Sequence, residues 1–166
     1  MGSMHSRIVL LLGLLTVINV PLSMKAAGDA PLDRATLKGL KSVSVIIDPL
    51  DPDLVKQGLT QEILQTRIEE RLRDAGIPLD KSATEFAGLR VMQVRASKGP
   101  YALCLSMGVY QSVLLVRAKD VRTATQTWEV ETVLMADPKV MTRETLNSVD
   151  QLAGRLVDAY RSVNPK

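Results

Sequence analysis

Lys41-Ser42-Val43-Ser44-Val45-Ile46-Ile47-Asp48, then Gln61-Glu62-Ile63-Leu64-Gln65 through Arg73-Asp74-Ala75, then Gly76-Ile77-Pro78-Leu79, decide the fold of this 166-residue chain. Residues 41–48 alternate, with Val43, Val45 and Ile47 on one side and Ser42, Ser44, Ile46 and Asp48 on the other, which is the period of a strand. Pro49 and Pro52 lack an N–H and fix their backbone angle, so residues 48–53 form a loop. In residues 61–75, Ile63, Leu64, Ile68, Leu72 and Ala75 recur at spacings of three and four and make one apolar helical stripe. Gln61, Gln65, Glu69, Glu70 and Arg73 lie opposite. Thr60 is placed to cap the first N–H groups, and Glu62 favours the positive end of the dipole. Gly76 stops the helix, and residues 77–79 return as a short strand. The unit is βαβ, and a right-handed crossover makes its two strands parallel.

Outward from this unit, residues 80–88 are a polar connection and residues 89–96 a third strand. Ser97-Lys98-Gly99-Pro100 signals a hairpin turn into a fourth strand, 101–116. That run is long for one straight strand of a small domain, and a bend or bulge is expected at 108–112. A polar turn at 119–123 leads to a fifth strand, 124–136, with Trp128, Val130 and Leu134 facing one way and Thr127, Glu129 and Glu131 the other. Asp137-Pro138 ends it. Thr142 is the expected cap of a last helix to about residue 163, with Leu146, Val149, Ala153, Leu156, Val157 and Tyr160 as its stripe and Asn164-Pro165 as its stop. The expected fold class is α+β (mixed α/β). It has a four- to five-stranded mixed sheet, two main helices packed on the same face, and the order β-α-β-β-β-β-α.

Arg7, the fifteen-residue apolar run 8–22 and the small residues Ala26, Ala27, Gly28 and Ala30 form the three-part pattern of a signal peptide. A membrane span needs about 20 helical residues, so this run reads as a leader. The expected organisation is a signal peptide at 1–28, with 1–3 a cloning remnant, a polar lead-in at 29–40 and a single α/β domain at 41–166. Membrane attachment is then expected only through an uncleaved leader. Removing 1–28 takes away Arg7 and Lys25, leaving nineteen Lys and Arg against eighteen Asp and Glu. That near-neutral body lacks the basic footprint of a nucleic-acid binder.

The sole histidine, His5, lies in the leader, and Cys104 is the sole cysteine. A cysteine nucleophile needs a base or a positive field, so Cys104 reads as a structural thiol. Asp48, Asp51 and Asp53 are the only weak candidates for a metal site, and their loop lacks the distal Glu and Gly of a calcium loop. Paired-carboxylate chemistry needs one acid in an apolar cleft; the sequence places none of Glu85, Glu129 and Glu131 in one, and strand periodicity puts the last two on a wet face. Arg117, Lys119 and Arg122 fall at one hairpin tip. If the strands pair in order they lie beside Arg90, Arg95 and Lys98, giving a candidate patch for an anionic partner. The other reading is charge protection of a sheet edge. No glycine cluster, Ser-x-x-Lys or Gly-x-Ser-x-Gly occurs. No catalytic residue and no cofactor is assigned.

The order of strand, acidic Pro-bearing loop, amphipathic helix, Gly and short strand, from Ser42 to Asp48 and through Ala75-Gly76-Ile77, resembles a group of exported bacterial domains. These are the small α/β domain at the amino end of Tol-pathway propeller proteins and in curli-type and polysaccharide-export lipoproteins. It is also similar to secreted bacterial proteins of unknown function. No functional motif comes with the resemblance, and the missing lipidation cysteine departs from the lipoprotein members. The resemblance implies a periplasmic interaction module. The expectation is therefore a non-enzymatic periplasmic or secreted module that binds an envelope protein or polysaccharide. The alternative is a carrier of a small apolar ligand, with Met92, Met107, Met135 and Met141 as an adaptable lining; an enzyme of unrecognised type is third.

Overall fold

A computed structural model describes residues 28–95 and 99–165, with the side chain of Arg95 left out. The expected leader lies almost wholly outside the described residues. The elements are α1 (Pro31–Ala35), β1 (Ser44–Ile47), α2 (Pro52–Lys56), α3 (Gln61–Asp74), β2 (Phe86–Arg95), β3 (Tyr101–Leu115), β4 (Ala118–Ala136) and α4 (Met141–Val163). The four strands form one mixed sheet in the order β1-β2-β3-β4, with β1 parallel to β2 and the rest antiparallel. The α+β class is as expected, with a four-stranded sheet and α3 and α4 on one face.

The short return strand is the main difference. It survives only as an isolated parallel bridge between Val43 and Leu79. Pro78 has no N–H to extend a ladder, and Asp80 turns the chain away by accepting from the Ser82 N–H at 2.8 Å. The parallel partner of β1 is instead β2, from Ser44↔Phe86 to Ile47↔Leu89.

Local chemistry sets the helix ends. The Thr60 hydroxyl accepts from the Ile63 N–H at 3.2 Å, and Gly76 takes φ 77° just past α3. Leu64, Ile68 and Leu72 are buried, whereas Ile63 is exposed. Thr142 does not cap α4: the cap position is Val140, and the Thr142 hydroxyl donates to the Gln57 carbonyl at 2.9 Å. Arg67 joins α3 to α4 through a two-pronged bond to Asp150 at 2.9 and 2.6 Å.

The lead-in is part of the body. Its helix α1 packs on α4 and β4, and Leu37 is fully buried. Asp29 is buried beneath it. Its carboxylate accepts from Arg34 Nε and Nη2 at 2.8 and 2.7 Å and from Trp128 Nε1 at 2.9 Å, with Arg155 3.6 Å away. Burial alone would raise the Asp29 pKa. The bonds from Arg34 and Trp128, with the charges of Arg34 and Arg155, outweigh it and hold the carboxyl below its usual value.

Parity along the strands divides the sheet. Val45, Ile47, Ala87, Leu89, Val91, Leu103, Leu105, Met107, Val109, Trp128 and Val130 all face the helices and are buried. Register shifts by one residue between Val109 and Tyr110, where Thr127 is the extra residue of β4; this falls inside the 108–112 window expected for a bulge. The bulge is pinned, because Gln111 Nε2 donates to Thr127 Oγ1 at 2.7 Å and to the Thr36 carbonyl at 3.1 Å. Past it, β3 and β4 continue as a bare two-stranded ribbon, since β2 begins opposite Tyr110. Residues 118–123, expected as turn and connection, belong to β4: Val113 pairs with Thr123, Leu114 with Arg122 and Leu115 with Ala118, a second register shift leaves 119–121 between paired positions, and the turn itself is 116–117. β-Branched residues on both sides of the ribbon suit that pairing.

Candidate functional site

The face of the sheet away from the helices carries no covering element among the described residues. Its rows follow from the register: Ser44, Phe86, Tyr110 and Gln126 at one end, then Gly88 with Gly108 and Glu129, then Arg90 with Ser106 and Glu131. Next come Met92, Cys104 and Val133, and last Val94, Ala102 and Met135. The first rows are polar or aromatic and the last two are apolar on three adjacent strands.

In the polar rows Arg90 and Glu129 are each tied to a neighbour, while Glu131 is exposed. Arg90 Nε donates to Asp48 Oδ2 at 2.8 Å, and Ser106 Oγ donates to Glu129 Oε1 at 2.5 Å. The Asp48 contact raises the Arg90 pKa. Phe86 and Tyr110 stack at 4.7 Å with an angle of 8° between rings, over the space a side chain at Gly88 would need. Together with Asp48 and Ser106 they border a shallow hollow of about 230 Å³.

The apolar rows are open. Met92 is 51% exposed, Val94 74%, Val133 71% and Met135 72%, while Cys104 and Ala102 are half-buried between them. Isolated exposed apolar residues are ordinary on a soluble protein; a set joined across three strands is not. The sequence signal was available: Val91, Met92 and Val94 place apolar side chains on both faces of β2, which one-sided burial does not explain.

The other candidate residues separate. Of the three acids after β1, Asp48 is paired with Arg90, Asp51 accepts from the Asp53 N–H at 2.8 Å as the cap of α2, and Asp53 meets Lys56 at 3.2 Å. Among the described residues no three His, Cys, Asp or Glu come together to hold a metal ion. The basic patch is divided. Arg95 pairs with Tyr101 and Arg122 with Leu114, thirteen positions away along β3, or about 40 Å. Arg90 lies opposite Ser106, between them. Successive turns of a meander fall at opposite ends of the sheet, so strands pairing in order keep Arg117, Lys119 and Arg122 apart from Arg95. Those three stand at the ribbon tip beside exposed Leu114, Val116 and Val121.

The four methionines expected as a carrier lining do not converge. Met107 and Met141 are fully buried in the core, while Met92 and Met135 are on the opposite side of the sheet.

No family model matches the chain, and no curated protein matches it. Solved structures do. A PelC dodecamer from Paraburkholderia phytofirmans aligns at TM-score 0.39 and 10% identity, over 72% of this chain and 86% of that one. Rare lipoprotein B from Shewanella oneidensis aligns at 0.38 and 14%, over 74% and 96%. A minor lipoprotein from Acinetobacter baumannii aligns at 0.34 and 13%, over 75% and 94%. At these values no role or assembly passes from them to this chain.

Proposed function

We propose that the protein is a non-enzymatic interaction module of the bacterial cell envelope, periplasmic or secreted, which binds an envelope protein through the helix-free face of its sheet. The observation that carries this reading is the open apolar set Met92, Val94, Val133 and Met135 around Ala102 and Cys104. Its position on a rigid three-stranded ladder favours binding, because little side-chain or backbone ordering is left to be done on contact. The paired charges Arg90, Asp48 and Glu129, with exposed Glu131, border it as a polar rim does at many interfaces. The leader-like residues 1–28 and the near-neutral body support the location and argue for protein over nucleic acid.

Affinity purification from the host's envelope extract tests the reading. The double variant Val94→Lys/Met135→Lys should recover a partner at least tenfold less well than the unaltered protein, while Ile63→Lys on the exposed side of α3 should recover it fully. Equal recovery by both variants would move the site off this face. Recovery of polysaccharide without protein would change the class of partner, and no recovery by the unaltered protein would remove the module reading.

A further inference from the structure

The edge strand β1 is only half paired. The Ser44 N–H donates to the Glu85 carbonyl at 3.1 Å and the Asp48 N–H to the Leu89 carbonyl at 2.9 Å, so even-numbered residues aim their main-chain groups at β2. Odd-numbered residues, by the alternation of a ladder, aim theirs outward. Val43 is satisfied there: its N–H donates to the Pro78 carbonyl, and its carbonyl accepts from the Asp80 N–H, both at 3.1 Å. The next rung of that parallel bridge would join Val45 to the Asp80 carbonyl and the Ser82 N–H. Both groups are spent in the turn, the first on the Ala83 N–H at 3.0 Å and the second on Asp80 Oδ1 at 2.8 Å. Two residues further on, Gln61 Nε2 donates to the Ile47 carbonyl at 2.8 Å and closes the far end. The Val45 N–H and carbonyl and the Ile47 N–H are left facing outward with no partner among the described residues.

The Val45 groups face a groove of about 410 Å³ between β1 and the Gln65, Glu69 and Arg73 side of α3, closed at one end by Asp80 and Lys81, and Ile47 follows Ile46, the last β1 residue of its lining. That volume is within the range of ordinary ligand sites. Glu69 lies 3.7 Å from Arg73, and Asp80 is followed by Lys81, so the charges of the lining balance. A main chain in extended form supplies the alternating donor and acceptor that Val45 and Ile47 lack, and about 10 Å, or three residues, fits between the two closed ends. A second β1 does not fit, because its own Leu79–Asp80 bracket would come with it.

We propose that this groove binds a short, uncharged, extended segment of another polypeptide, which joins the sheet as a fifth strand on Val45 and Ile47. The site is on the sheet edge and stands independently of the helix-free face. The test uses the full chain and a phage-displayed library of linear peptides, with the best selected peptide synthesised and added to ¹⁵N-labelled protein. Expected are shifts and at least tenfold slower exchange of the Val45 and Ile47 amides, with Ser44 and Ile46 unchanged. Methylating the peptide nitrogen that donates to the Val45 carbonyl should weaken binding at least tenfold. Val45→Pro should do the same, since it removes the outward N–H of an edge strand, although it also replaces a core side chain. The peptide readout stands even if that variant does not fold. The proposal is overturned if no peptide is selected, if selected peptides shift residues elsewhere, or if Val45 is protected without peptide in a concentration-dependent way, which would assign the edge to a second copy.

Discussion

The two faces of the sheet are made from the same strands, yet one is closed and the other open. Toward the helices Leu103, Leu105, Met107 and Val109 stand in an unbroken buried row, joined by Trp128 and Val130. One residue along each strand, Ala102, Cys104, Ser106 and Gly108 look outward with only cross-strand neighbours. The same strand backbone supports both, so what separates them is tertiary cover. The closed face is where stability is expected to reside, and the open face is where contact with another molecule is expected.

The largest effect should come from the closed face. Trp128→Ala removes a fully buried ring and its bond to Asp29, and should cost about 3–5 kcal/mol in denaturant unfolding. A loss under about 1 kcal/mol would show that α1 and α4 do not depend on that packing. Next is the anchor beneath α1: Asp29→Ala leaves Trp128 Nε1 and Arg34 without their acceptor and should cost about 1–3 kcal/mol. The same carboxylate sets a pH dependence. Its folded-state pKa is lowered from 3.8, so its stabilising share is complete above the unfolded value and is lost as pH falls through the folded one. Melting curves below about pH 4 should therefore fall more steeply for the unaltered protein than for Asp29→Asn; parallel curves would contradict the ion cluster. Smallest is the open face, where Val133→Thr should change stability by no more than about 0.5 kcal/mol. A loss several times larger would mean that this face is covered in the free protein.

The division into faces was legible in the alternation of residues 101–109 and 128–134, and the α+β class followed from it. What the sequence did not disclose depends on partners far along the chain. Asp29 reads as one more polar residue of a lead-in until Trp128, ninety-nine positions on, supplies its donor. The short strand at 77–79 has the right apolar residues, but Pro78 and the Asp80 turn leave it one bridge long. Arg95 and Arg122 are both basic residues of one meander, and only the alternation of hairpin ends tells that they lie far apart. Met92 and Met135 read together with Met107 and Met141 as one lining because residue type does not specify a face; strand parity, once the register is known, does.

The most direct test of the open face as the binding surface is site-specific photo-crosslinking in cells of the natural host. A photoreactive residue is placed in turn at Met92 and Met135, and at Ile63 and Gln151 on the helix side. Adducts of one discrete mass from Met92 and Met135, and none from the helix positions, are the predicted result. Adducts from Ile63 or Gln151 alone would contradict it and assign recognition to the helical layer.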